Sequence, residues 1–253
     1  MKRNLITAGL LATTAMLAAC SGETAEPLTN EQAVVPILEQ TIGKTPTQLL
    51  ERMASNFYPT FEMAKGLGGD RAESWDEAKF KSELTTAFAP ISDQVDAAFA
   101  AHVAGEMEDG EGQKLLDMLA EGKNADFAAC VFNSESAEEG NRFESCKAST
   151  GAEAPQEFQD ALGDLAGRMG RALQGDETLA VAMGYATCSV LAKFGKDVST
   201  DNLTINLQTT KLGLGEQKPC TDYDGLAAET FSGEIPPNFP AEEAEGAEGT
   251  AAE

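Results

Sequence analysis

The stretch from Pro155 to Gly175 reads PQEFQDALGDLAGRMGRALQG, and its apolar side chains recur at Phe158, Leu162, Leu165, Met169 and Leu173. Steps of three and four residues put these side chains on one face of a helix with 3.6 residues per turn. A strand would need alternation at every second position. Pro155 stands where a helix opens, and Gly175-Asp176 turns the chain. A second run follows at Leu179, Met183, Ala186, Val190, Leu191 and Phe194, with Gly195 placed as a C-cap.

Upstream, the same pattern repeats with start signals. Thr45-Pro46-Thr47-Gln48 joins an N-cap threonine, a proline at the first helical position and a glutamine that reaches back. Leu49, Leu50, Met53 and Phe57 then share a face, and Pro59 ends or kinks the run. Thr29-Asn30-Glu31-Gln32 opens a shorter helix, which Pro36 is expected to interrupt. Ser74-Trp75-Asp76-Glu77 reads as a capping box ahead of Phe80, Leu84 and Phe88, with Pro90 as the stop. Ile91, Val95, Phe99 and Val103 mark the next helix, and Leu115, Leu116 and Leu119 a short one. Phe127, Val131 and Phe132 surround Cys130, and Phe143 precedes Cys146. Residues 199–212 carry two signals: Leu203, Ile205 and Leu207 alternate as in a strand, while Ser199 looks like a helix cap. The reading favours helix there. The fold class expected is mostly α: a bundle-like helical body over residues 29–231, with a subdivision near 149–155 kept open.

The ends have a different composition. Residues 20–28 are small and polar after Cys20 and read as a tether. From Ser232 to Glu253 there are six glutamates, no basic residue and three prolines. Too little apolar surface is available there to offset the entropy of ordering, so residues 232–253 are expected to form a disordered acidic tail.

Residues 1–19 begin with Lys2-Arg3 and an apolar run from Leu5 to Leu17. A charged head and an apolar run too short to span a bilayer are the marks of a signal peptide. Leu17-Ala18-Ala19-Cys20 then resembles the lipobox of bacterial lipoproteins. The resemblance implies cleavage before Cys20, a diacylglyceryl group on its thiol, an acyl chain on its amine, and attachment to a membrane facing the periplasm. More than one chain anchors stably. Ser21, where an aspartate tends to retain enteric lipoproteins in the inner membrane, points to the outer membrane. Cleavage leaves 234 of the 253 residues, enough for one large domain or two small ones.

The whole chain has 42 acidic and 18 basic residues, a net charge of −24. Cleavage removes two basic residues and no acidic ones, which takes the charge to −26. Phosphate binding needs Lys and Arg, so nucleic acid is not an expected partner. The expected partners are the membrane, through the lipid at Cys20, and another envelope protein.

Beyond Cys20 the cysteines are Cys130, Cys146, Cys188 and Cys220. An even number in an exported chain suggests two disulfides. Three pairings are open, and proximity favours Cys130–Cys146 with Cys188–Cys220. Each would add about 3–4 kcal/mol on the loop-entropy model. A four-cysteine zinc site would favour close C-x-x-C pairs, and there are none.

Catalytic patterns are sparse. His102 is the one histidine, at the margin of the Val95–Phe99 stripe. There is no G-x-S-x-G elbow, and one histidine excludes H-E-x-x-H metal sites. Asp197 to Asp201 starts like a calcium loop, but Asn202 and Gln208 stand where glycine and glutamate are needed. Glu106-Met107-Glu108-Asp109 reads as a solvated turn, and Gly66-Leu67-Gly68-Gly69 as a turn without the lysine of a phosphate loop. Ser189, next to Cys188, has no base near it in sequence. No cofactor or metal is expected.

Residues 74–119 also resemble a helical domain of unknown function in exported bacterial proteins. The resemblance lies in Ser74-Trp75 at a capped helix, the helix from Ile91 to Met107, and Gly112-Gln113-Lys114-Leu115 opening a third. The aromatic pair usual before that last turn is absent here; Gly105 and Met107 lie nearby instead. The family has no settled activity to transfer.

The functional expectation is a non-enzymatic, lipid-anchored periplasmic protein with an interaction or envelope role. One alternative is a binding module for a small or lipidic ligand, which calls for a closed apolar cavity between helices. The other is a hydrolase using His102, which calls for a serine and a carboxylate beside it.

Overall fold

Thr29 and Thr45 set the first two helices by the same local chemistry. Each threonine side chain accepts the backbone N–H of the glutamine three residues on, and that glutamine bonds back to the threonine N–H. The result is α1 (Asn30–Thr41) and α2 (Pro46–Ser55). The computed structural model describes residues 26–59, 62, 76–133, 142–194, 220–233 and 235–238. Its other helices are α3 (Glu77–Phe88), α4 (Ser92–Gly105), α5 (Glu111–Ala120), α6 (Asn124–Asn133), α7 (Arg142–Thr150), α8 (Gln156–Gly175), α9 (Glu177–Phe194) and α10 (Cys220–Thr230). The body is α-helical, and no strand occurs among the described residues.

Two start and stop signals act differently from the sequence expectation. Pro36 does not interrupt α1, which runs through it to Thr41. A mid-helix proline costs about 3 kcal/mol. Here Ala33, Val34, Ile37 and Leu38, on both sides of it, are fully buried, and burial at about 1.5–3 kcal/mol per large side chain outweighs that cost. The cap of α3 is Asp76 rather than Ser74: its carboxylate accepts from Lys79 N at 2.8 Å. Ser74 and Trp75 lie outside the described residues, as do Gly66–Gly69, Gly195, Asp197–Asp201 and the whole of 199–212.

The apolar stripes converge on one core. Phe80, Leu84 and Phe88 of α3, Val95, Phe99 and Val103 of α4, and Phe158, Leu162, Leu165 and Met169 of α8 are all buried in it. In the last turn of α8 the stripe passes to Ala172, which is fully buried, while Leu173 is only partly so. α4 is central and touches α1, α2, α8 and α9. α9 packs on α3, α4, α8 and α10. Its buried residues include Val181, Ala182, Tyr185 and Cys188 as well as the expected Leu179, Met183, Ala186 and Val190, so α9 is enclosed on nearly all sides rather than striped. The core has no break at 149–155, where the Phe127 ring lies 6.1 Å from that of Phe158.

Both disulfides form with the pairing that proximity favours. Cys130–Cys146 ties α6 to α7, and Cys188–Cys220 ties α9 to α10. The Cα atoms are 5.7 and 5.4 Å apart, within the range a disulfide spans.

The C-terminal boundary differs from the one drawn at Phe231. Ile235 packs on the core, Ser232 bonds to Gln94, and Tyr185 bonds to Pro236. Residues 232, 233 and 235–238 therefore belong to the body, and residues 234 and 239–253 lie outside the described residues.

Candidate functional site

The charged side chains that draw the body together gather where α4 ends, α5 begins and α8 passes into α9. His102 sits one turn before the end of α4, with its side chain 26% exposed. Its Nδ1 lies 3.1 Å from Asp176 Oδ2 and its Nε2 lies 3.9 Å from Glu106 Oε1. Asp176 is already in use as a helix cap, its other oxygen accepting from Leu179 N at 3.1 Å. The aspartate thus links the start of α9 to α4. In a hydrolytic triad the ring nitrogen away from the aspartate faces a hydroxyl nucleophile; here it faces a carboxylate.

Two arginines of α8 hold the turn between α4 and α5. Arg171 grips Glu106 with Nε on both carboxylate oxygens, at 3.1 and 2.9 Å, and Nη2 on the second. The Glu106 carboxyl is held below its usual range, first by this hydrogen bonding. Arg168 bonds Glu111, which also accepts from Glu108 N at 2.9 Å. Burial pushes the Glu111 carboxyl up, but those two hydrogen bonds and the arginine charge outweigh it and bring it below the usual range.

Beside this clamp is an open cleft of about 600 Å³ between α5 and α8. Its carboxylates are Glu108, Asp109 and Glu111 at the start of α5, and Glu157, Asp160 and Asp164 on α8. Lys114 bridges it through Glu157, which raises the lysine's affinity for its proton. Negative charge in the first turns of two helices complements their dipoles, which accounts for Glu111 and Glu157. The cleft is open and charged, unlike the closed apolar cavity that a lipid ligand needs. Among the described residues, no group of three or more His, Cys, Asp or Glu side chains is placed to hold a metal ion.

Cys20, the lipidation residue read from the sequence, lies outside the described residues. Cys130, Cys146, Cys188 and Cys220 are in disulfides. The structure brings His102 together with Asp176 and Glu106. It leaves Ser189 buried in α9, with no hydrogen bond to His102. Asp176, Arg168 and Arg171 were not read as functional neighbours. The one local signal was Asp176 three residues before Leu179, the spacing of a helix cap; the arginines' targets are more than fifty residues away. Among the described residues no helix is long and apolar enough to cross a membrane. No protein family, curated protein or solved structure matches the chain.

Proposed function

We propose that the chain is an exported lipoprotein, anchored through Cys20 and acting without catalysis as an interaction protein of the bacterial envelope. The observation that carries this reading is Leu17-Ala18-Ala19-Cys20 after the Leu5–Leu17 apolar run. Two further features support it. Paired disulfides fit an oxidising compartment such as the periplasm. Among the described residues Leu28 is the one exposed large hydrophobic side chain, and it stands eight residues after Cys20. Eight residues span at most about 29 Å, which keeps the body close to the bilayer to which the lipid attaches it. Ser21 favours the outer membrane. The His102–Asp176 pair is read as a helix tie rather than as a catalytic pair.

Metabolic labelling with a fatty-acid probe tests the anchor. The wild-type chain takes up label and sediments with membranes, and Cys20→Ala does neither. Label persisting in the Cys20→Ala chain refutes the reading.

A further inference from the structure

After Phe231, itself buried, the chain runs over the surface formed by α4 and α9. Gln94 of α4 makes both of the hydrogen bonds that a peptide backbone offers at Ser232. Its Nε2 donates to the Ser232 carbonyl at 2.9 Å, and its Oε1 accepts from the Ser232 N–H at 2.6 Å. Four residues on, the Tyr185 hydroxyl of α9 donates to the Pro236 carbonyl at 2.8 Å. Asn238 Nδ2 closes the far end on the Tyr185 carbonyl at 3.3 Å. Between these grips Ile235 sets its side chain against the core, whereas Pro236 and Pro237 are exposed. Gly233, at φ +111°, lets the chain turn into this path.

This is how a groove reads a bound peptide. Gln94 and Tyr185 address main-chain N–H and C=O groups, which specifies an extended shape and a carbonyl spacing. Two strap side chains add to this, the Ser232 hydroxyl donating to Gln94 Oε1 at 3.0 Å and the Asn238 amide to the Tyr185 carbonyl. One apolar residue supplies the anchor. The two prolines, whose side chains are exposed, hold the segment extended and so reduce the entropy lost on docking. We propose that the α4–α9 surface is a receptor groove for an extended, proline-containing peptide, and that Ser232, Ile235, Pro236 and Asn238 occupy it as the contact points of an intramolecular ligand. The tether is a single residue beyond Phe231, and so short a link gives an effective concentration in the millimolar range. The groove is therefore closed to a partner segment until the strap leaves. The inference stands apart from the anchor at Cys20.

The test uses a chain ending at Phe231 and a fluorescent peptide of sequence SGEIPPN, read by anisotropy. The shortened chain binds the peptide, and the intact chain binds it at least about tenfold more weakly because the strap competes at millimolar effective concentration. Gln94→Ala in the shortened chain weakens binding about fivefold, as expected for lost hydrogen bonds. Should the shortened chain lose its helical circular dichroism, the measurement moves to the intact Ile235→Asp chain, which keeps every groove residue and releases the strap's anchor. A helical chain of either kind that does not bind, intact and shortened chains that bind equally, or Gln94→Ala binding like its parent each overturns the proposal.

Discussion

Asp176 has two jobs at one residue, and the two can be separated. One carboxylate oxygen caps α9 through Leu179 N and the other meets His102. His102→Ala removes only the second contact. It should lower stability by about 1 kcal/mol, typical of a partly buried substitution, and leave cellular function intact at normal protein level. Loss of function at that level would revive the hydrolase reading. Asp176→Ala removes the cap as well, worth a further ~1 kcal/mol, so its urea midpoint should fall below that of His102→Ala. Equal midpoints would mean that the cap contributes nothing. Gly184 is a sharper case. A Cβ there would lie 2.0 Å from Tyr223 Cε1 and 2.4 Å from Cδ1, so the buried Tyr223 ring must move. Gly184→Ala should cost about 1–3 kcal/mol as overpacking, read as a fall in Tm. The cost should largely vanish in a Tyr223→Ala background. A persistent cost there would place the strain elsewhere. The Asp176–His102 and Gly184–Tyr223 contacts were not legible in the sequence, because the partners stand 74 and 39 positions apart.

At the level of elements, what was legible was local. The two threonine–glutamine boxes needed only four residues to be read, and both close as expected. The stripes of α3, α4 and α8 were legible because period and burial coincide there. The Pro36 rule failed because it describes a helix alone, while α1 is held by burial on both sides of the proline. α7 and α10 left weak signals for a physical reason: the one buried residue of α7 is Cys146, and α10 begins at Cys220. α7 is fastened by sulfur more than by an apolar face, whereas α10 also buries Tyr223 and Ala227. Removing Cys130–Cys146, which closes a separation of 16 residues, should cost about 3 kcal/mol, and removing Cys188–Cys220, with 32, about 4 kcal/mol on the loop-entropy model. Amide exchange should report where the loss falls: α7 loses protection in Cys130→Ala/Cys146→Ala and α10 in Cys188→Ala/Cys220→Ala. Uniform loss across the body in both pairs would show that the bridges act only on global stability.

For the whole molecule, the composition of the C-terminal end suggested a boundary at Phe231, and composition is a poor guide to a boundary that rests on a few contacts. Of the segment 232–238, only Ile235 carries a large apolar side chain, and sequence alone gives no sign that Gln94 and Tyr185 wait for the backbone around it. Two shortened chains measure the difference. A chain ending at Asn238 keeps every strap contact and should melt close to the intact protein. A chain ending at Phe231 loses the Gln94 and Tyr185 hydrogen bonds and the partial burial of Ile235. Hydrogen bonds at about 0.5–1.5 kcal/mol each, discounted for the exposed Gln94 pair, and part of one isoleucine's burial amount to about 2 kcal/mol. For a body of this size that is a fall of about 4–8 °C in Tm. The Tyr185 hydroxyl, which donates to the Pro236 carbonyl in the intact chain, exchanges that bond for water when the strap is removed, so its share of the loss is the net value of one hydrogen bond. Tyr185→Phe should therefore destabilise the intact chain by about 1 kcal/mol and leave the Phe231-ended chain nearly unchanged. If both shortened chains melt together, the strap holds nothing, and the boundary returns to Phe231.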